Sequence, residues 1–221
     1  MKIQIVTPKG GAGKTTTTLG LASTAFFRKD LRPLVVDCDR QRSSCMTLAT
    51  HPLIGSQSVP VEDLPKLFKS FSNGTAPEAD VYLFDMPPRD EHIAVYTQVA
   101  KRVDFTLIPL NPSKAAMESP KVLMKAFSKA GINNYACVFS MVPPAGPARR
   151  RVQKMRDTIR AAGVPVLDNF LTFRAEWSRM SFEPRNNLIH LSNNGDARHE
   201  IEKIYTEVEG LVAVARSEAV V

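Results

Sequence analysis

Cysteine is scarce in this sequence: 221 residues hold three, Cys38, Cys45 and Cys137, scattered and without a Cys-x-x-Cys pair. Their number excludes a disulfide framework and their spacing supplies no zinc or redox-dithiol site, which suits a reducing cytoplasm. Aromatic residues are few, 7% with one tryptophan, and no apolar run approaches the roughly 18 residues of a membrane span. The apolar stretch from Met1 to Thr7 meets Lys9 and a glycine cluster too soon to be a secretory signal. The histidines, His51, His92, His190 and His199, have no metal-ligand spacing and are expected to be structural or surface residues. There is no internal repeat and no linker.

What is present is the composition of an ordinary globule, 43% hydrophobic and 23% charged. At roughly 150 residues per domain, the length fits one generous domain spanning 1–221. Lys and Arg number 29 against 22 Asp and Glu, a net charge of +7, so a polyanion is a plausible partner. Short apolar, β-branched runs alternate with amphipathic stretches. This rhythm predicts an α/β fold, a single-domain, doubly wound, mostly parallel sheet flanked by helices. Strands are expected at 2–7, 33–37, 81–85, 105–109, 135–141 and 164–167. Helices are expected at 14–29, 90–102, 114–130, 147–162 and 197–215, with loops at 52–60, 143–147 and 183–195.

The first strand runs into Pro8-Lys9-Gly10-Gly11-Ala12-Gly13-Lys14-Thr15 and then a helix. This is the context of a phosphate-binding loop. Glycines let consecutive N–H groups turn toward one anion, the helix N-terminus adds partial positive charge, and Lys14 reaches the outer phosphates. Thr15 is placed to offer its hydroxyl to Mg²⁺, and Gly10, Gly11, Ala12, Gly13, Lys14, Thr15 and Thr16 form the nucleotide cradle. After the second strand, Asp37 and Asp39 stand two apart, which in an extended segment puts both carboxylates on one side. There they can hold a metal's water shell and orient an attacking water. A third apolar strand, Val81-Tyr82-Leu83-Phe84, ends in Asp85 and two prolines, with Asp85 placed to accept from a metal-bound water.

These three motifs, in this order, resemble the deviant Walker A ATPases of the ParA/MinD family, a branch of the P-loop NTPases. The length is most like the small, ParF-like plasmid-partition members. The resemblance covers roughly the first 90 residues strongly and the 105–112 strand more loosely. It implies ATP with Mg²⁺, metal ligation by Thr15, Asp37 and Asp85, and a water positioned by Asp39. It makes Lys9 the added lysine that reaches a partner's nucleotide across a nucleotide-dependent homodimer. Lys9, Lys14 and Asp39 are then the catalytic set. Arg40 replaces the family's usual proline, Gly20 a frequent asparagine, and Ser140 a frequent base-contacting asparagine. The Asn-Lys-x-Asp signature of many GTPases is absent from the sequence.

Positive charge is densest on the expected helix at 147–162, where Arg149, Arg150, Arg151, Lys154, Arg156 and Arg160 face one acid, Asp157. Val152, Met155 and Ile159 form an apolar stripe there, so the basic residues fan over the other side. Such a face suits phosphate contacts without base reading. Arg174, Arg179 and Arg185 extend it, and Trp177 is expected in the core or an interface. The tail at 210–221, with one Arg, one Glu and no bulky aromatic, predicts no membrane partner. The family resemblance implies non-specific DNA binding by an ATP-bound dimer on the nucleoid in the cytoplasm, with release stimulated by a ParB/ParG-like centromere-binding protein. It leaves two alternatives, positioning of a non-DNA cargo and a MinD-like membrane-associated ATPase. Related electron carriers need paired cysteines that this chain lacks, and related tyrosine kinases need a tyrosine-rich tail.

Overall fold

The computed structural model describes residues 1–49, 51, 53–88, 90–177 and 195–218. Six strands, β1 (Lys2–Ile5), β2 (Pro33–Asp37), β3 (Gly55–Ser58), β4 (Val81–Asp85), β5 (Phe105–Leu110) and β6 (Tyr135–Phe139), form one sheet in the order β3-β2-β4-β1-β5-β6. Every neighbouring pair is parallel. Seven α-helices accompany them among the described residues: α1 (Lys14–Lys29), α2 (Ser43–Leu48), α3 (Leu64–Ser72), α4 (Ile93–Ala100), α5 (Lys114–Lys129), α6 (Gly146–Ala161) and α7 (Gly195–Glu218).

The central strands read as continuous apolar runs because both their faces are covered. Side chains alternate across the sheet. Ile3, Ile5, Val35, Leu83 and Leu107 pack with Leu19 and Ala22 of α1 and with Ile201, Ile204, Tyr205 and Val208 of α7. Val36, Phe84, Ile108 and Phe139 point the other way, onto Phe68 of α3, Tyr96 of α4, Phe127 of α5 and Val152 of α6. Each such fully buried side chain contributes about 1.5–3 kcal/mol.

Helix α1 is buried although its first turns are threonine. The hydroxyls of Thr17, Thr18 and Thr24 donate to the carbonyls of Gly13, Lys14 and Gly20, one turn back, so little polar capacity is left unmet. At Gly20 a Cβ would lie 2.9 Å from Ile201 Cγ1 and 3.5 Å from the Trp177 ring. Glycine at this position is therefore a packing requirement of α1 against α7. Trp177 is itself buried, its indole N–H donating to the Thr172 carbonyl.

Three expectations need correction. The 52–60 loop contains β3, a polar edge strand paired with β2 from Leu34 opposite Gly55 to Asp37 opposite Ser58. Its Gly-Ser-Gln-Ser sequence carries no apolar signal because an edge strand has little to bury. The strand expected at 164–167 is instead an isolated bridge, Cys137 opposite Val166. Pro165 has no N–H to give, and the N–H groups of Asp168 and Asn169 go to the Glu207 carboxylate of α7. The helix expected from 90 opens as a 3₁₀ turn, Asp90–His92, before α4. Arg179, Arg185, His190 and the expected loop up to residue 194 lie outside the described residues.

Candidate nucleotide site

The sheet order sets β1 between β4 and β5, so the loop leaving β1 emerges at the centre of the carboxyl edge, where doubly wound sheets bind ligands. Gly11 and Gly13 adopt φ of +71° and +83°, conformations that other residues enter only with strain. A Cβ at Gly13 would also lie 2.7 Å from Ser140 Oγ. Ser140, just past β6, donates that hydroxyl to the Ala12 carbonyl at 2.6 Å and so ties the loop to the sheet. Helix α1 begins at Lys14 with no side-chain cap and no acidic residue in its first turn. An N-terminus of this kind suits an external anion.

Lys14 is only 7% exposed, and burial lowers its pKa against the pull of Asp85 and Asp39. A phosphate beside it would supply the counter-charge that a buried ammonium needs. Asp37 and Asp85 are register partners across β2 and β4, which brings two buried carboxylates to one point. Asp85 Oδ2 accepts from Thr15 Oγ1 at 3.0 Å and from Ser44 Oγ at 2.6 Å. Burial, reinforced by the charge of Asp37, pushes the Asp85 carboxyl up to about 6 although these hydroxyls and Lys14 oppose it. Asp37 is also raised by burial, against the N–H groups of Cys45 and Asp39, which donate to it at 2.9 and 3.1 Å.

The strand ends at Asp37, and the chain bends at Asp39. The Asp39 N–H folds back onto Asp37 Oδ1, and the Asp39 carboxylate accepts from the Gln41 N–H at 3.0 Å. Asp37 is thereby buried while Asp39, half-buried, faces a cleft of ≈ 520 Å³ that it lines with Arg40, Gln41, Pro87, Glu91 and His92. Arg40 is exposed and 3.9 Å from Glu62. Lys9 and Gly10 are exposed on the outer turn of the loop.

Hydroxyl and carboxylate oxygens at Thr15, Asp85 and Asp37 are the donors that Mg²⁺ prefers. Among the described residues no group of three or more His, Cys, Asp or Glu could hold a metal by itself. A divalent ion there would need phosphate oxygens and water to complete its shell.

Residues 3–185 match the model of the CobQ/CobB/MinD/ParA nucleotide binding domain. The chain belongs to this family. No curated protein matches this CobQ/CobB/MinD/ParA chain in sequence. Among solved structures it is similar to a putative plasmid partition protein from Borrelia burgdorferi B31 bound to AMPPNP, with TM-score 0.71, 16% identity, and 94% of this chain and 97% of that one covered. It is similar to the septum site-determining protein MinD of Pyrococcus horikoshii complexed with Mg-ADP, with TM-score 0.68, 17% identity and 97% and 98% covered. Apo McdA of Cyanothece aligns with TM-score 0.65 at 15% identity, over 96% and 98%. Identities this low establish the fold they share.

On α6 the six basic residues divide. Arg156 donates to the Asp168 carbonyl and to Gln153, and Arg160 to the Val166 carbonyl and the Asp168 carboxylate. Arg149 donates to the Pro144 carbonyl and lies 5.0 Å from the centre of the Phe170 ring. Arg150, Arg151 and Lys154 are exposed and enter none of these contacts. Arg174 is held by Glu200 and Asp196 of α7. Sequence reasoning missed Ser44 and the bracing role of Ser140. A lone serine outside a motif carries no signal of its partner.

Proposed function

We propose that this protein is a DNA-partition ATPase acting as one nucleotide-binding domain over 1–221. ATP with Mg²⁺ binds at Gly10–Thr16, and Lys14 neutralises the outer phosphates. Thr15, Asp85 and Asp37 hold the metal and its waters, and Asp39 positions the attacking water. Hydrolysis of ATP to ADP and phosphate times a binding switch: the ATP-bound form closes a sandwich dimer through Lys9, holds DNA without sequence preference, and lets go when a centromere-binding ParB/ParG-like partner stimulates hydrolysis. The observation that carries the nucleotide chemistry is the convergence of the uncapped α1 N-terminus, buried Lys14 and the Thr15–Asp85 pair at one edge of the sheet.

DNA is favoured as the held surface because Arg150, Arg151 and Lys154 stand exposed along α6 with no acid among them. Three such contacts give binding that weakens steeply with salt. The test is binding to random-sequence DNA over a salt series with ATP, with ADP and without nucleotide. ATP-dependent, salt-sensitive binding is expected, and its absence at low salt removes the partition reading.

One observation favours a lipid-facing alternative: Leu211 and Val214 are exposed on the last turns of α7, at 40% and 55%. Among the described residues no helix is long and apolar enough to cross a membrane. Co-sedimentation with anionic liposomes in the presence of ATP separates the two.

A further inference from the structure

Helix α2 is fixed to the nucleotide site by two contacts that no sequence motif announces. Ser44 is completely buried, and its hydroxyl donates at 2.6 Å to the same Asp85 oxygen that accepts from Thr15. One residue on, the Cys45 N–H donates at 2.9 Å to Asp37 Oδ2. A six-residue helix has little stability of its own, so its place depends on such tethers. Both tethers end on the two carboxylates that meet across β2 and β4. On the outer side, α2 presents Met46, 68% exposed.

We infer that Ser44 is a positioning residue that orients Asp85 for the metal and makes the docking of α2 sensitive to metal binding; this rests on the nucleotide reading above. With both hydroxyls on Oδ2, the carboxylate is held in one rotation, which would leave Oδ1 for a metal-bound water. A hydrogen bond to a charged, buried acceptor is of the strong kind, and losing it leaves the carboxylate to rotate. No bond to the nucleotide is involved, so nucleotide held without metal is indifferent to Ser44.

The experiment compares the full-length chain with Ser44→Ala and Ser44→Thr, measuring AMPPNP affinity by calorimetry in excess Mg²⁺ and in EDTA. Ser44→Ala is expected to weaken binding about tenfold in Mg²⁺ and to leave the EDTA value unchanged, and Ser44→Thr to restore the Mg²⁺ value. A second readout is the rate at which a thiol reagent modifies Cys45, located by mass spectrometry, since Cys38 and Cys137 are buried. Mg²⁺ with AMPPNP is expected to slow it in the unmutated chain and in Ser44→Thr, but not in Ser44→Ala. Equal loss in Mg²⁺ and EDTA, or no loss in either, overturns the inference. If the unmutated chain does not bind AMPPNP at all, the nucleotide reading itself falls and takes this inference with it.

Discussion

The hydroxyl of Ser140 donates to the carbonyl of Ala12 at 2.6 Å, across 128 positions of sequence. This bond joins the end of β6 to the turn that shapes the phosphate loop, and the same oxygen occupies the space that a side chain at position 13 would need. Ser140→Ala leaves a buried carbonyl unpaired, a loss of about 1–2 kcal/mol. A lower Tm and several-fold weaker AMPPNP binding are expected. Gly13→Ala is expected to be worse, since it adds strain at φ +83° to the clash. Thermal melts and calorimetry of both variants check this; a Ser140→Ala protein with unchanged Tm and affinity contradicts the bracing role.

Lys14 and Asp39 should separate binding from hydrolysis. Lys14→Ala removes the buried cation at the phosphates and is expected to cost AMPPNP affinity at least about 100-fold, while the nucleotide-free protein melts at a similar temperature because burying that charge was itself unfavourable. Asp39 is half-buried beside a cleft, and the role proposed for it concerns the attacking water and not the phosphates. Asp39→Ala is expected to bind ATP and to lose phosphate release, trapping the DNA-holding state. Wild-type turnover by Asp39→Ala defeats the assignment.

Asp85 gives the protein a pH dependence of known sign. Its folded pKa, about 6, lies above the ordinary value of 3.8, so the folded chain keeps a proton that the unfolded chain releases. Its contribution to stability is greatest below about pH 4 and is lost as pH rises through about 6, by at most about 3 kcal/mol. The nucleotide-free Tm of wild type is therefore expected to fall between these pH values relative to that of Asp85→Asn. Mg²⁺ needs the ionised carboxylate, so Mg²⁺-dependent AMPPNP binding strengthens over the same interval. Parallel Tm profiles for the two proteins refute the shift.

The basic helix offers a division of labour. Arg156 and Arg160 hold α6 to the 166–168 segment, so their replacement by Ala is expected to lower Tm by several degrees. Replacement of Arg150, Arg151 or Lys154 should leave Tm unchanged, weaken binding to random-sequence DNA, and reduce its salt slope by about 1 each. Melting curves and DNA titrations at several salt concentrations distinguish the two groups. Equal effects of all five on DNA binding, with no change in Tm, rule the division out.

The sequence by itself determined the α/β order, the five buried strands and the place of the glycine-rich loop after β1. These are written locally: apolar runs buried on both faces need no partner to be recognised, and a glycine with φ above zero has its conformation set by its immediate neighbours. Edge strand β3, with little to bury, left no such trace.

Tertiary structure alone decided which groups meet. Register across β2 and β4 brought Asp37 level with Asp85, and the Asp39 N–H bonded back to the Asp37 carboxylate. Folding delivered Ser44 to Asp85 and Ser140 to Ala12, and paired Arg156 and Arg160 with the 166–168 segment. A hydroxyl or guanidinium has a fixed chemistry but a partner chosen by packing, and packing joins residues whose separation in sequence carries no pattern.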